Sequence, residues 1–223
     1  MNIEYLLFDL FIFFLSTLSI FVVKGTRYPQ LRPAFFAILS VSIPYIVWDA
    51  LVTGWWWEFN SRYTLGFSLG PLPVEEVLFF FVVPWSCLII WENLKELVTG
   101  RVTAQLELFV ALVGLLTLGT SVSQGWWYSA SIGGLMCVLS LMSYRYGQWL
   151  RWKVSGLYLV IVFLLTCIFN GYLTARPVVI YNTFTKSNLN LGTIPIEDII
   201  YGLVLVSLVA MLYETYLKKI KVS

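Results

Sequence analysis

The 223-residue sequence contains no histidine. That removes the commonest side-chain metal ligand and the usual neutral-pH acid–base group. Charge is also scarce, at 12% of residues, about half of what a soluble domain carries. A net charge of +2 is too small to suggest nucleic acid as a partner. Three cysteines, Cys87, Cys137 and Cys167, lie far apart in apolar runs. They have no redox or metal-binding spacing and read as packing residues, so no metal site is expected. The first apolar run, Tyr5 to Val23, has no basic segment ahead of it and is long enough to cross a bilayer. It reads as a span rather than a cleaved signal.

What the chain does have is apolar length. Hydrophobic residues make up 59% of it, and its mean hydropathy is +0.83. A soluble fold of this composition would expose large apolar patches. Spans need about 20 apolar residues, and seven candidates run from Ile3 to Val23, Pro33 to Val52, Pro73 to Trp91, Ala104 to Val122, Trp126 to Tyr144, Val154 to Tyr172, and Pro195 to Leu217. The expected fold is an all-α membrane protein of seven transmembrane helices. With seven spans, eleven basic residues fall on one side: Lys24, Arg27, Arg32, Lys95, Arg101, Arg145, Arg151, Lys153, Lys218, Lys219 and Lys221. Three, Arg62, Arg176 and Lys186, fall on the other. The positive-inside rule then places the N-terminus outside and the C-terminus in the cytoplasm, in a cell (inner) membrane.

Two segments of the chain match each other. Asp49-x3-Thr53 is followed by Gly66 and Leu72-Pro73-Val74-Glu75-Glu76. Asn170-x3-Thr174 is followed by Gly192 and Ile194-Pro195-Ile196-Glu197-Asp198. Threonine and proline are 20 residues apart in one copy and 21 in the other. Spans one to three and five to seven enter from the same side, so the copies are parallel repeats. The expected division is a first repeat over 1–100, a connector span over 101–123 and a second repeat over 124–223.

Taken singly, each motif reads as a helix start, because proline suits the first helical position and acids suit the first turn. Two copies, each facing Asp49 or Asn170 at the end of the preceding span, point instead to a shared acidic pocket. Adjacent carboxylates in a dry site do not both ionise cheaply, which leaves a neutral acid available. The helix N-terminus favours the anion and opposes this; the sequence leaves the balance open. Trp55, Trp56 and Trp57 adjoin the first motif, and Tyr181, Phe184 and Tyr201 flank the second. Tryptophan and tyrosine gather at membrane interfaces in any case, but a pocket of rings also suits a carbocation.

Pro73-Val74-Glu75-Glu76 and Pro195-Ile196-Glu197-Asp198, with Trp48-Asp49 and Asn170 ahead of them, resemble the small membrane lycopene cyclases. These occur as heterodimers of three-helix subunits or as one fused chain. The second copy departs from the first in carrying Asn170 where the first has Asp49. The resemblance implies a carotenoid cyclase with lycopene or a related linear carotenoid as substrate and membrane lipid as surroundings. It implies a non-redox isomerisation: protonation of the ψ end at C2, capture of the C1 cation by the C5=C6 alkene, and proton loss from C6 to give a β-ring. No cofactor is implied, and the chain lacks the G-x-G-x-x-G loop of the flavin-dependent cyclases. The expected acid–base set is Glu75, Glu76, Glu197 and Asp198. Asp49, Asn170, Thr53, Thr174, Trp48 and Trp56 are expected to support it or bind substrate. A homo-oligomer is compatible with the sequence. The rival readings are a carotenoid hydratase that traps the same cation with water and a proton-coupled transporter. A retinal protein would need a lysine in the last span, which has none before Lys218.

Overall fold

A computed structural model describes residues 3–222. Met1, Asn2 and Ser223, the outer ends of the expected repeats, lie outside the described residues, as does the side chain of Lys221. Seven long helices form the bundle: α1 Glu4–Val22, α2 Leu31–Val52, α3 Val74–Leu94, α4 Leu106–Gln124, α5 Trp127–Arg145, α6 Lys153–Ala175 and α7 Ile196–Val222. Six are long and apolar enough to cross a membrane; α5 is not among them. Its sequence explains the difference. Ser129, Gly133, Ser140 and Ser143 lower its hydropathy, yet all four are buried against protein.

The exposed side chains of the outer helices are those a bilayer would solvate. Phe14, Leu18 and Phe21 on α1 and Phe109, Leu112 and Leu116 on α4 all point outward. Helices satisfy their own backbone polar groups, as a span must. The core lies instead around α3 and α7. Half of the apolar window of α3 and 61% of that of α7 are buried, against 17–22% for α1, α4 and α6.

The packing is two-fold in pattern. In one half α1 and α2 pack on α3; in the other α5 and α6 pack on α7. The halves join by α2 against α7 and α3 against α6. Helix α4 packs chiefly on α5, outside this symmetric set, and turns the second half to run parallel to the first. Close approach there depends on glycine: a Cβ on Gly133 would sit 2.5 Å from Leu118 N and 2.6 Å from Gly114 O.

Short strands complete the acid end of the bundle. β1 (Trp57–Phe59) pairs with β4 (Val179–Tyr181) across the halves, in the order Trp57↔Tyr181, Glu58↔Ile180, Phe59↔Val179. The backbone N–H groups of Asn60 and Asn182 extend the pair symmetrically, donating to Val178 O and Trp56 O. In each half a two-strand hairpin leads into the motif helix: β2 (Ser68–Leu69) with β3 (Leu72–Pro73), and β5 (Asn190–Leu191) with β6 (Ile194–Pro195). Gly70 and Gly192 turn these hairpins at φ +64° and +62°, a left-handed conformation that favours glycine.

The opposite end carries partly buried ion pairs. Lys95 bridges Glu92 at 2.6 Å and Glu214 at 3.0 Å, and Arg151 meets Glu107 at 2.6 Å. These acids are spent on packing helices together.

Candidate active site

Proline opens both motif helices. Pro73, with φ −58°, precedes the first turn of α3, which carries Glu75 and Glu76. The first turn of α7 carries Glu197 and Asp198. Consecutive helical residues diverge by about 100°, so the two acids of each motif point to different places.

The first acid of each pair turns back to the loop. Glu75 Oε1 accepts from Leu65 N at 2.6 Å, and Glu197 Oε1 accepts from Ser187 N at 2.7 Å. Glu197 also accepts from Ser129 Oγ at 2.5 Å. Both glutamates are buried, at 0% and 2% exposure. Each fastens the polar loop that carries the chain into its hairpin.

The second acid turns inward, toward a tyrosine in the first turn of the half's leading helix. Tyr5 OH donates to Glu76 Oε2 at 2.6 Å, and Tyr128 OH donates to Asp198 Oδ1 at 3.2 Å. These tyrosines occupy equivalent places, and their backbone N–H groups both anchor the loops, donating to Tyr63 O and Thr185 O.

The last turns of α2 and α6 supply the next layer. Asn170 Nδ2 donates to Asp198 Oδ2. Asp49, in the matching place, lies close enough to Glu76 for the two carboxyls to act on each other. Asp49 Oδ1 also accepts from Trp57 Nε1 at 2.8 Å and Thr53 Oγ1 at 3.2 Å. Thr174 instead caps its own helix, donating to Asn170 O at 2.9 Å, and pairs with Thr193. The Tyr181 hydroxyl from β4 lies near Asp198. Desolvation pushes this hydroxyl above its ordinary range, so it remains a donor.

Two clefts run down the bundle from this end. The first lies between α1, α3, α6 and α7 and encloses about 400 Å³. Glu76, Asn170, Asp198 and Tyr181 form its polar end; Phe8, Phe79 and Phe169 lead into an apolar interior. The second lies between α2, α4, α5 and α7 and encloses about 710 Å³. Its lining includes Tyr45, Trp48, Trp56 and Tyr201 and no carboxyl.

Residues 2–94 and 125–216 match the family described as lycopene cyclase. The match covers both halves and omits α4. The chain belongs to the lycopene cyclase family. No curated protein and no solved structure matches it. Family and fold together make it a membrane-embedded carotenoid cyclase.

The cyclase thus brings together some of the expected site residues and separates others. Glu76, Asp198 and Asn170 converge at the polar end of the first cleft, and Asp49 lies close to Glu76 without lining it. Glu75 and Glu197, on the same first turns of α3 and α7, face the loops. Thr53 reaches a carboxyl, whereas no hydrogen bond links Thr174 to one among the described residues. Trp48 and Trp56, with ring centroids 5.2 Å apart, line the second cleft, away from the cyclase's acid-bearing one. Glu58 is exposed, but on strand β1 rather than in a loop. Sequence reasoning missed Tyr5, Tyr128 and Asp9. Extending the repeat alignment into the first span of each half would have paired the tyrosines. Asp9 is 1% exposed, and neither of its oxygens has a hydrogen-bond partner; an acid in an apolar span was its only signal.

Proposed function

We propose that this cyclase converts the ψ end groups of lycopene, or of a related linear carotenoid, to β-rings, giving γ- and β-carotene by protonation, cyclisation and proton loss. One observation carries the reading. Two carboxyl side chains, Glu76 and Asp198, face a single cleft that is otherwise apolar and aromatic, between helices exposed to lipid. The volume of about 400 Å³ falls within the roughly 300–1,000 Å³ of small-molecule sites.

The chemistry follows from that geometry. An alkene is a weak base and needs a positioned neutral acid. A protonated carboxyl at the polar end delivers the proton to C2, leaving the positive charge at C1. The C5=C6 π electrons close the C1–C6 bond and move the charge to C5. Loss of the C6 proton restores an alkene. The ring faces of Phe79, Phe169 and Tyr201 stabilise the passing cation, and the apolar walls keep water from trapping it. No electrons are gained or lost, and a single proton enters and leaves.

In this reading Glu76 and Asp198 are the catalytic pair, Asp49 and Asn170 position them, and Glu75 and Glu197 hold the loops. Residues 1–100 and 124–223 act as the two repeats, with 101–123 as connector. The acid end faces outward and the basic end faces the cytoplasm. Expression in lycopene-accumulating cells, followed by pigment analysis, tests the assignment. The expected products are γ- and β-carotene. Unchanged lycopene would overturn the reading, and a hydroxylated acyclic product would replace it with hydration.

A further inference from the structure

Resting on the reading above, we propose that the two halves divide the chemistry. Glu76 of the first half gives up the proton, and Asp198 of the second half balances the cation as an anion and then takes the proton from the ring.

The halves differ in how they are equipped for charge. At the acid end of the first half four carboxyls, Asp9, Asp49, Glu75 and Glu76, are each 9% exposed or less. No buried lysine or arginine accompanies them; the sole buried cation among the described residues, Lys186, belongs to the second half. Arg176 pairs with Glu4. Several carboxylates gathered away from water without a counter-ion cannot all be charged. Asp49 and Glu76 lie close enough to act on each other, and adjacent carboxyls away from water do not both ionise cheaply. Asp9, one helical turn beyond Tyr5, has neither oxygen partnered. A buried carboxyl left without donors is tolerable as the neutral acid. The first half is therefore built to hold protons.

The second half replaces these features one by one. Where the first half has Asp9, the second has Ile132; where it has Asp49, the second has Asn170; where it has Thr64, the second has Lys186. Asp198 accepts from the Tyr128 hydroxyl on one oxygen and from the Asn170 amide on the other, with the Tyr181 hydroxyl near by. Donors aimed at both oxygens of one carboxyl suit the anion and hold it in place for a developing positive charge. Glu76 and Asp198 line the same cleft, so one end group reaches both.

Each step balances. The Glu76 O–H bond breaks as the C1=C2 electrons form the new C2–H bond. After ring closure the C6–H bond breaks, its electrons form C5=C6, and the proton passes to Asp198. Proton loss from Asp198 and proton gain by Glu76 reset the site, with Asp9 as the adjoining store.

Turnover in D2O separates the two roles. The full chain is reconstituted in liposomes with lycopene, and both product and recovered substrate are analysed for deuterium. Asp198→Asn should form at least 100-fold less ring yet return lycopene deuterated at C2, because protonation occurs and reverses. Glu76→Gln should form no ring and return unlabelled lycopene. Glu76→Asp and Asp198→Glu keep the charges and should retain the wild-type labelling pattern at reduced rate, which separates lost chemistry from lost folding. Labelling by Glu76→Gln but not by Asp198→Asn would reverse the assignment. Equal labelling in the two variants, or in neither, would overturn the division of roles. Absence of any ring with the wild-type chain would instead refute the cyclase reading beneath it.

Discussion

The two clefts are built from equivalent helices, yet only the first opens on acids. In the first, Phe8 of α1, Phe79 of α3 and Phe169 of α6 surround the approach to Glu76 and Asp198. The corresponding positions in the second are Ser131, Tyr201 and Trp48. There Trp48 and Trp56 meet edge to face, and Trp56 in turn lies against Trp57 and Tyr128. This aromatic block stands between the second cleft and the carboxyls. Helix α4, which has no counterpart in the other half, forms part of its wall through Leu118 and Val122. A repeated scaffold therefore presents one acid-lined cleft rather than two, because a few large rings and one amide break the equivalence.

The largest expected effect tests which acids of the motif touch the chemistry. Glu76→Gln should lower ring formation by at least about 100-fold, the scale of a lost general acid. Glu75→Gln, which retains an oxygen for Leu65 N, should keep measurable activity. Quantifying carotenes in lycopene-accumulating cells checks both. Equal loss in the two variants would erase the distinction between inward and loop-facing acids.

Filling the clefts separately is the next test. A Cβ on Gly202, in the first cleft, or on Gly134, in the second, meets nothing within 4 Å. Gly202→Leu should obstruct the first cleft and reduce cyclisation by about tenfold or more, the scale of about 1.4 kcal/mol or more in binding or barrier. Gly134→Leu should leave cyclisation close to wild type. The reverse outcome, read from initial rates in liposomes, would move the reaction to the second cleft.

Making the halves alike should have a smaller effect. Asp49→Asn gives the first half the amide of the second and removes the carboxyl partner of Glu76. Because the amide still offers a hydrogen bond, a rate loss of about tenfold is expected, about 1.4 kcal/mol. No loss would mean that the Asp49–Glu76 contact is structural.

The smallest effects on chemistry concern the frame. Glu197→Ala leaves Ser187 N and Ser129 Oγ without their carboxylate acceptor, a change of about 1–3 kcal/mol. Gly133→Val forces a Cβ against Leu118 and Gly114 and should cost about 1–3 kcal/mol through overpacking. Thermal melting in detergent should show both losses. The α4–α5 variant should retain more activity than the loop variant, since α4 lies away from the acids.

Much of this was legible before folding was considered. The apolar runs located the seven helices to within a few residues, because the bilayer demands both length and hydrophobicity. Only α5 departs, since its serines and glycines are accommodated by protein rather than by lipid. The motif spacing also singled out Glu75, Glu76, Glu197 and Asp198 with Asp49 and Asn170, and the fold places all six at one end of the bundle. Trp48 and Trp56 were harder to place. Adjacency in sequence put them beside Asp49 and Trp57, but the end of α2 and the turn after it direct their rings into the other cleft.

The sequence by itself determined that this chain spans a membrane, that it is duplicated, and that each copy opens a helix with proline and two acids. Those properties follow from composition and from local rules of helix initiation. Tertiary structure decided which acid of each pair is turned toward the cleft, which tyrosine meets it, and that two equivalent clefts are differently furnished. Helical rotation separates neighbouring residues by about 100°, so adjacent acids acquire different surroundings only once α1 and α5 pack beside α3 and α7. The inequivalence of the halves likewise rests on contacts between residues far apart in the chain, such as Tyr5 with Glu76 and Asn170 with Asp198.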